Sequence, residues 1–275
     1  MLPSYLLSLR EGIEAALIVG IVLSALRQMR RTDLSVSVWV GVISAVAISV
    51  LVAVVLTIFG LSLEGPAEPV FEGVTVFLAA GVLTWMIFWM SSHSRHIKGE
   101  LEAGVRRAAF ETGKRGLFLL AFFAVVREGI ELALFLTAAV FASSELQTIV
   151  GALLGLFTAV LLGWSMFATA VRLDLRRFFQ VTGVLLILFA AGLVASGIHE
   201  FNEVGWIPEI IGHVWDLTPV LSETSLAGQI LKTLFGYNAS PSLSSVISYA
   251  FYFVAVWLGL RAARKTENAP VQTQA

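Results

Sequence analysis

Arg10-Glu11-Gly12-Ile13-Glu14 and Arg127-Glu128-Gly129-Ile130-Glu131 are the same five residues written twice in a chain of 275. Each copy interrupts a run that is otherwise almost wholly apolar, Leu6 to Leu26 in the first case and Leu117 to Phe141 in the second. A single charged side chain at the centre of a membrane helix costs about 2.5 to 3.5 kcal/mol, so three left unpaired would cost roughly 8 to 10 kcal/mol. A burden of that size, repeated word for word, points to function. With 3.6 residues per turn, Glu11 and Glu14 share one face and Arg10 reaches Glu14; Glu128, Glu131 and Arg127 are placed in the same way. Two such faces turned toward each other gather four carboxylates and two guanidinium groups into one small volume. The central glycine of each copy removes a side chain where two backbones need to approach closely. An oxygen-lined, anionic cage of this kind suits a hard, highly charged cation.

Composition sets the class. The chain is 57% hydrophobic and 13% charged with a mean hydropathy of +0.87, which is the balance of a polytopic membrane protein and leaves no room for a sizeable soluble domain. It contains no cysteine, which excludes disulfides, thiolate metal sites and iron–sulfur clusters. A cleavable signal peptide is not expected, because Arg10, Glu11 and Glu14 would break its apolar core and Met1 to Leu9 carries no basic side chain.

Apolar runs of membrane length fall at about 4–26, 35–60, 70–91, 116–142, 147–169, 178–198 and 245–261. Arg27, Arg30 and Arg31 follow the first; Arg95, Lys98, Arg106, Arg107, Lys114 and Arg115 the third; Arg172, Arg176 and Arg177 the fifth; Arg261, Arg264 and Lys265 the seventh. Fifteen of the eighteen basic residues thus occupy alternate loops, two more are the motif arginines, and Lys232 alone lies on the opposite side. The positive-inside rule then predicts an all-α bundle of seven transmembrane helices with the N-terminus outside and the C-terminus inside. The first span runs inward and the fourth outward, so the motif helices are related as a 3+3 inverted repeat, 1–115 and 116–200, plus one extra helix at 245–261. Ala79-Ala80-Gly81 in the third span is echoed by Ala190-Ala191-Gly192 in the sixth. Residues 1–265 form a single transmembrane domain, and 266–275 are expected to be a disordered tail.

Between the last two spans, 201–244 is read as an outer segment with short interfacial helices. Ile207, Ile210, Ile211, Val214 and Trp215 fall at helical spacing, and Thr224 or Ser225 caps a second helix ending near Gly236. Several lesser residues have two readings. Met86, Met90 and His93 fall at i, i+4 and i+7, and either line an exit or pack. Glu72 either relays a cation inward or sits among headgroups. His199 and Glu200, with Glu203, are either an entrance cluster or a solvated helix end.

The paired motif, in the first and fourth of seven spans, resembles the oxidase-dependent iron permease family, which includes fungal high-affinity iron permeases and bacterial EfeU-type iron permeases. The likeness covers nearly the whole chain, including Lys98-Gly99-Glu100-Leu101-Glu102 and the long outer segment. It implies iron import across the plasma membrane (bacterial inner membrane) by a multi-pass permease. Iron, as Fe2+ or Fe3+, is then the transported substrate, Glu11, Glu14, Glu128 and Glu131 its ligands, and Arg10 and Arg127 their supports. It also implies an external or periplasmic oxidase or iron-delivery partner. No prosthetic group, enzymatic activity or nucleic-acid partner is expected; membrane lipid surrounds the chain. The Asp-Ala-Ser-Glu motif and long cytoplasmic tail of the fungal members are missing, which favours the bacterial type. The alternatives are a permease for lead or manganese, or a membrane di-iron oxidase. The oxidase is disfavoured because such sites pair Glu with His at i+3, whereas here i+3 is another glutamate and the motif spans hold no histidine.

Overall fold

The computed structural model describes residues 1–93, 97–142, 144–168, 175–208, 211–222 and 225–267, and among these every regular element is helical. The helices are α1 (Leu2–Gln28), α2 (Ser35–Leu61), α3 (Ala67–His93), α4 (Ile97–Arg107), α5 (Lys114–Ala142), α6 (Glu145–Ala168), α7 (Leu175–Glu203), α8 (Leu226–Phe235) and α9 (Leu243–Glu267). Seven of them run 24 to 29 residues, and each overlaps one of the predicted apolar runs. Five, namely α2, α3, α6, α7 and α9, are long and apolar enough to cross a membrane. The two other long helices, α1 and α5, are those that carry the charged motif.

Packing is dominated by three helix pairs, α1 with α6, α2 with α5, and α3 with α7, and α1 and α5 meet at the centre. Glycines set how closely the first two pairs approach. A Cβ built on Gly151 of α6 would collide with the Met1 carbonyl, one on Gly155 would fall 2.9 Å from the Leu9 nitrogen, and one on Gly163 2.9 Å from Ala16 Cβ. These contacts advance together along both helices, so α1 and α6 run parallel. In the other pair a Cβ on Gly41 of α2 would fall 2.6 Å from the Phe118 carbonyl oxygen, and Gly129 of α5 abuts Ser49. A shift of 117 residues carries Gly12 onto Gly129 and Met1 onto Phe118, while a shift of 110 carries Ser49 onto Ala159 and Gly41 onto Gly151. The Gly12–Ala159 and Gly151–Met1 contacts of one pair therefore have counterparts in the other.

Small residues also build the third pair. Ala79 and Ala80 of α3 lie in one apolar core with Ala190 and Ala191 of α7, where Leu7, Leu83, Phe135, Leu186 and Leu193 fill the remaining space. On the outside, α2 exposes Val36, Ile43, Val50, Leu51 and Ile58, and only 6% of its most apolar window is buried.

Four expectations change. The motif glycines do not bring α1 and α5 together: Gly12 abuts Ala159 of α6 and Gly129 abuts Ser49 of α2. Each glycine is about 100° around the helix from its neighbouring glutamate, so once the carboxylates face across the centre the glycine faces a flanking helix. The predicted helix over 207–215 is irregular backbone where described. Pro208 and Gly212 interrupt it, and its amides pair with a later strand of chain, Val214 N–H donating to the Pro241 carbonyl (3.0 Å) and Leu217 N–H to that of Ala239 (2.8 Å). α4 was not foreseen, because it is too short to span and holds Gly99 and Gly104; it buries Val105 against Val22, Leu26, Val38 and Leu117. Finally, α9 continues to Glu267, two residues into the expected tail, and 268–275 lie outside the described residues.

The second short helix is as predicted. The Ser225 side chain caps α8 by accepting from the Gly228 N–H (3.0 Å), and Gly236 closes it in the left-handed region at φ 65°. Gly236 rests on the backbone of Gly192 in α7 with no side chain between them.

Substituting Gly155→Leu should destabilise the protein by about 1 to 3 kcal/mol through overpacking against α1. Gly81→Ala, whose Cβ would meet nothing within 4 Å, should be neutral or slightly stabilising. Thermal unfolding of both variants in detergent checks this, and equal stability of the two would show that the glycine contact with α1 is not tight.

Candidate metal centre

The two motifs form the same local ion pair. Arg10 Nε donates to Glu14 Oε1 at 3.1 Å, and Arg127 Nε donates to Glu131 Oε1 at 2.9 Å, both at the i,i+4 spacing that one helical turn dictates. Each pair occupies one carboxylate of its motif and leaves the other, Glu11 or Glu128, turned toward the centre. Those two are buried, at 1% and 6% exposure.

Three carboxylates converge where α1 meets α5. One oxygen from each of Glu11, Glu128 and Glu131 lies within 4.8 Å of the others. Oxygens on opposite sides of a hard cation stand about 4 to 5 Å apart, twice a metal–oxygen distance of roughly 2.0 to 2.5 Å, so the three are spaced to share one ion. Glu14 falls outside this group and is held by Arg10. Both oxygens of Glu11 and Oε2 of Glu131 are buried and accept from no N–H or hydroxyl donor among the described residues, and the Glu11 carboxyl lies within hydrogen-bonding reach of Glu128. Buried carboxylate oxygens without donors are costly, and a cation is the partner that removes the cost for all three at once. Four carboxylates against two guanidinium groups leave a formal charge of −2, which a divalent ion neutralises.

The two copies differ in their surroundings. Arg10 is 1% exposed, whereas Arg127 is 43% exposed and lies against the faces of two tryptophans of α3, 5.8 Å from the Trp85 ring centre and 5.4 Å from that of Trp89. The sequence signal for this contact is the i,i+4 spacing of the two tryptophans near the end of an apolar helix.

A family model for iron permeases, the Iron permease FTR1 family, matches residues 1–266. The chain belongs to the FTR1 iron permease family. Among its relatives, a ferrous iron permease EfeU of Escherichia coli O6:K15:H31 (strain 536 / UPEC) is 36% identical over 256 residues, covering 92% of this chain and 93% of the relative. A ferrous iron permease EfeU of Yersinia pestis is 36% identical over 256 residues, covering 92% and 91%. A relative from Escherichia coli (strain K12), also 36% identical, carries the word "inactive" in its name. No solved structure matches the chain significantly.

Within this member of the iron permease family the lesser candidates fall in separate places. Met86 is 1% exposed and packs in the apolar core with Leu83 and Leu186; the side chains of Met90 and His93 lie outside those described. Glu72 of α3 lies within electrostatic reach of Glu68, Glu200 and Glu203, which gathers acids where the N-terminal end of α3 meets the C-terminal end of α7. His199, half exposed, is 3.5 Å from Glu203. Beside them a cavity of about 720 Å³ opens between α7, α8, α9 and the connecting segment, lined by Ser196, His199, Glu200, His213, Lys232 and Asn238 among others. In that segment, hydrogen bonds from the side chain and N–H of Thr218 hold the Asp216 carboxyl below its ordinary range. None of these residues joins the three-carboxylate group.

Removing the two motif arginines should have unequal effects. Arg10→Ala strands Glu14 in the interior and should cost about 3 to 5 kcal/mol. Arg127→Ala also leaves a buried carboxylate, Glu131, without its partner, but it empties a more open position that water can enter, so it should cost less, about 1 to 3 kcal/mol. Chemical denaturation or melting in detergent measures both, and equal losses would contradict the asymmetry.

Proposed function

We propose that this protein imports ferrous iron across the plasma membrane through the site formed by Glu11, Glu128 and Glu131, with Glu14 exchanging into it as the ion moves. The convergence of three buried carboxylates from the two motif helices carries this reading. Family membership supplies iron as the cargo, and the names of the EfeU relatives point to the ferrous state, which also matches the formal −2 of the site.

In this reading all seven long helices cross the bilayer, with the N-terminus outside. The parallel direction of α1 and α6, and the paired contacts related by shifts of 117 and 110 residues, support a 3+3 inverted repeat with α9 added. Glu68, Glu72, Glu200 and Glu203 then face the outside and concentrate cations at the entrance. An ion loses water as it passes from that acidic end to the carboxylates. An inside-negative potential assists by about 2.3 kcal/mol per charge per 100 mV, so inward movement of a divalent ion needs no separate coupling ion. The ion pairs at Arg10 and Arg127 keep the site from holding so much negative charge that iron could not leave. An external oxidase or iron-delivery protein would dock at the same acidic end.

The three-carboxylate group includes no histidine, and every ligand oxygen in it comes from glutamate, which suits passage of a hard cation better than the mixed Glu and His ligation of an oxygen-activating centre.

Radioactive iron uptake into proteoliposomes, with Fe(II) and Fe(III) supplied separately, tests the proposal. Wild type should accumulate Fe(II) in response to an inside-negative potential, and Glu14→Gln and Glu131→Gln should each lose nearly all uptake while still inserting and folding. Uptake at wild-type rates in either variant would rule out the carboxylate route.

A further inference from the structure

Several hydroxyl groups on the described helices share a habit. Those of Ser49, Thr57, Thr84, Thr137, Thr158 and Thr182 each donate to the carbonyl four residues earlier, at 2.6 to 2.9 Å. Ser8 departs from it. It is wholly buried, at 0% exposure, and its Oγ has no hydrogen-bond partner among the described residues.

Ser8 lies one turn before Glu11 on α1, at i,i+3, and so on the same side of the helix. Ser4, at 1% exposure, lies one turn earlier still, which makes Ser4, Ser8 and Glu11 a buried polar track leading from the N-terminal end of α1 to the carboxylates. The counterparts of Ser4 and Ser8 in the second motif helix, 117 residues on, are Ala121 and Val125. The track is therefore present on one motif helix and absent from the matching positions of the other. Gly155 of α6 faces Ser8 with bare backbone: a Cβ built there would fall 2.9 Å from Ser8 Cβ. The hydroxyl thus gains nothing from its neighbour across the helix pair, while both oxygens of Glu11, one turn on, also accept from no N–H or hydroxyl donor among the described residues. Leaving such groups buried and unpaired is costly, and the two sets are relieved together if both turn to a shared ion.

We propose that Ser8 Oγ is a further oxygen ligand of the transported cation, a neutral donor added to the carboxylates on the side from which the ion arrives. Hard divalent ions take six or more oxygens, and three carboxylates leave coordination positions that a hydroxyl can fill without adding charge. A neutral ligand strengthens capture without deepening the electrostatic trap that release must overcome. The inference rests on the carboxylate reading of the site above.

Its test is cation binding by the purified full-length protein in detergent, with Mn(II) as a redox-stable hard ion and Cd(II) as a soft one. Ser8→Ala should weaken Mn(II) binding about five- to tenfold, the scale of one polar contact to an ion, with metal-free melting unchanged or raised because an unsatisfied hydroxyl has been removed. Ser8→Cys places the sole thiol in the chain at the site. It should favour Cd(II) over Mn(II) at least about tenfold more than wild type does, and Cd(II) should shield that thiol from alkylation. Mn(II) affinity unchanged in Ser8→Ala would overturn the proposal. So would a weakened Ser8→Ala that also melts early, alongside a Ser8→Cys with no gain for Cd(II), since that pattern belongs to a packing role. Glu11→Gln separates this from the reading beneath it. If Glu11→Gln abolishes Mn(II) binding and Ser8→Ala does not weaken it, only the role of Ser8 fails; if Glu11→Gln binds Mn(II) as wild type does, the carboxylate site itself fails.

Discussion

Mutual repulsion of carboxylates in a water-poor interior is the constraint around which this protein is arranged. Three of them meet where α1 and α5 touch, and neither helix would keep that arrangement on hydrophobic grounds alone. Two devices make it tolerable. One is internal to each motif, an arginine that engages the carboxylate one turn on. The other is the flanking pair of helices, α6 against α1 and α2 against α5, whose glycine contacts clamp each charged helix along its length so that its acidic face cannot rotate toward lipid. What remains unsatisfied converges on one small volume, with the spacing and the formal −2 charge that the proposed cation site calls for.

The rest of the fold serves this centre from a distance. The alanine-rich crossing of α3 and α7 brings two acidic helix ends together beside the 720 Å³ cavity, and α8 closes against α7 where Gly236 meets Gly192. Duplication of the motif is not matched by duplication of its surroundings. Arg10 is sealed in and Arg127 lies open against Trp85 and Trp89, while buried serines precede Glu11 on α1 and their counterparts before Glu128 are alanine and valine. Differences of this kind are what two identical pentapeptides cannot supply by themselves.

Much of this was legible in the sequence, because membrane-length apolar runs and charges within them are strong local signals. The repeated pentapeptide marked the carboxylates that the fold brings together, and i,i+4 spacing alone gave both ion pairs. The cap at Ser225 and the stop at Gly236 were equally local, and α8 follows from them. What could not be read were properties fixed by neighbours. Which way Gly12 and Gly129 face depends on where the glutamates turn, and that depends on the partner helix. The 207–215 stretch has a helical pattern of apolar residues, yet its backbone satisfies itself against residues 239–243, a contact no window of sequence contains. Nor does sequence reveal that Ser8 lacks a partner, since its identity is that of any helical serine.

The near-naked outer surface of α2 has a consequence for where this protein is sensitive. About half of the residues of that helix are exposed to whatever surrounds the molecule, and its one substantial protein contact is α5, which carries Glu128 and Glu131. A helix in that position acts as an outrigger. When the hydrocarbon layer thickens or thins, the cost of mismatch falls first on its exposed valines and isoleucines and is relieved by tilt. Because α2 and α5 are locked together at Gly41 and Ser49, tilt in one is tilt in the other, and the lipid composition of the host membrane becomes a variable that reaches Glu128 and Glu131.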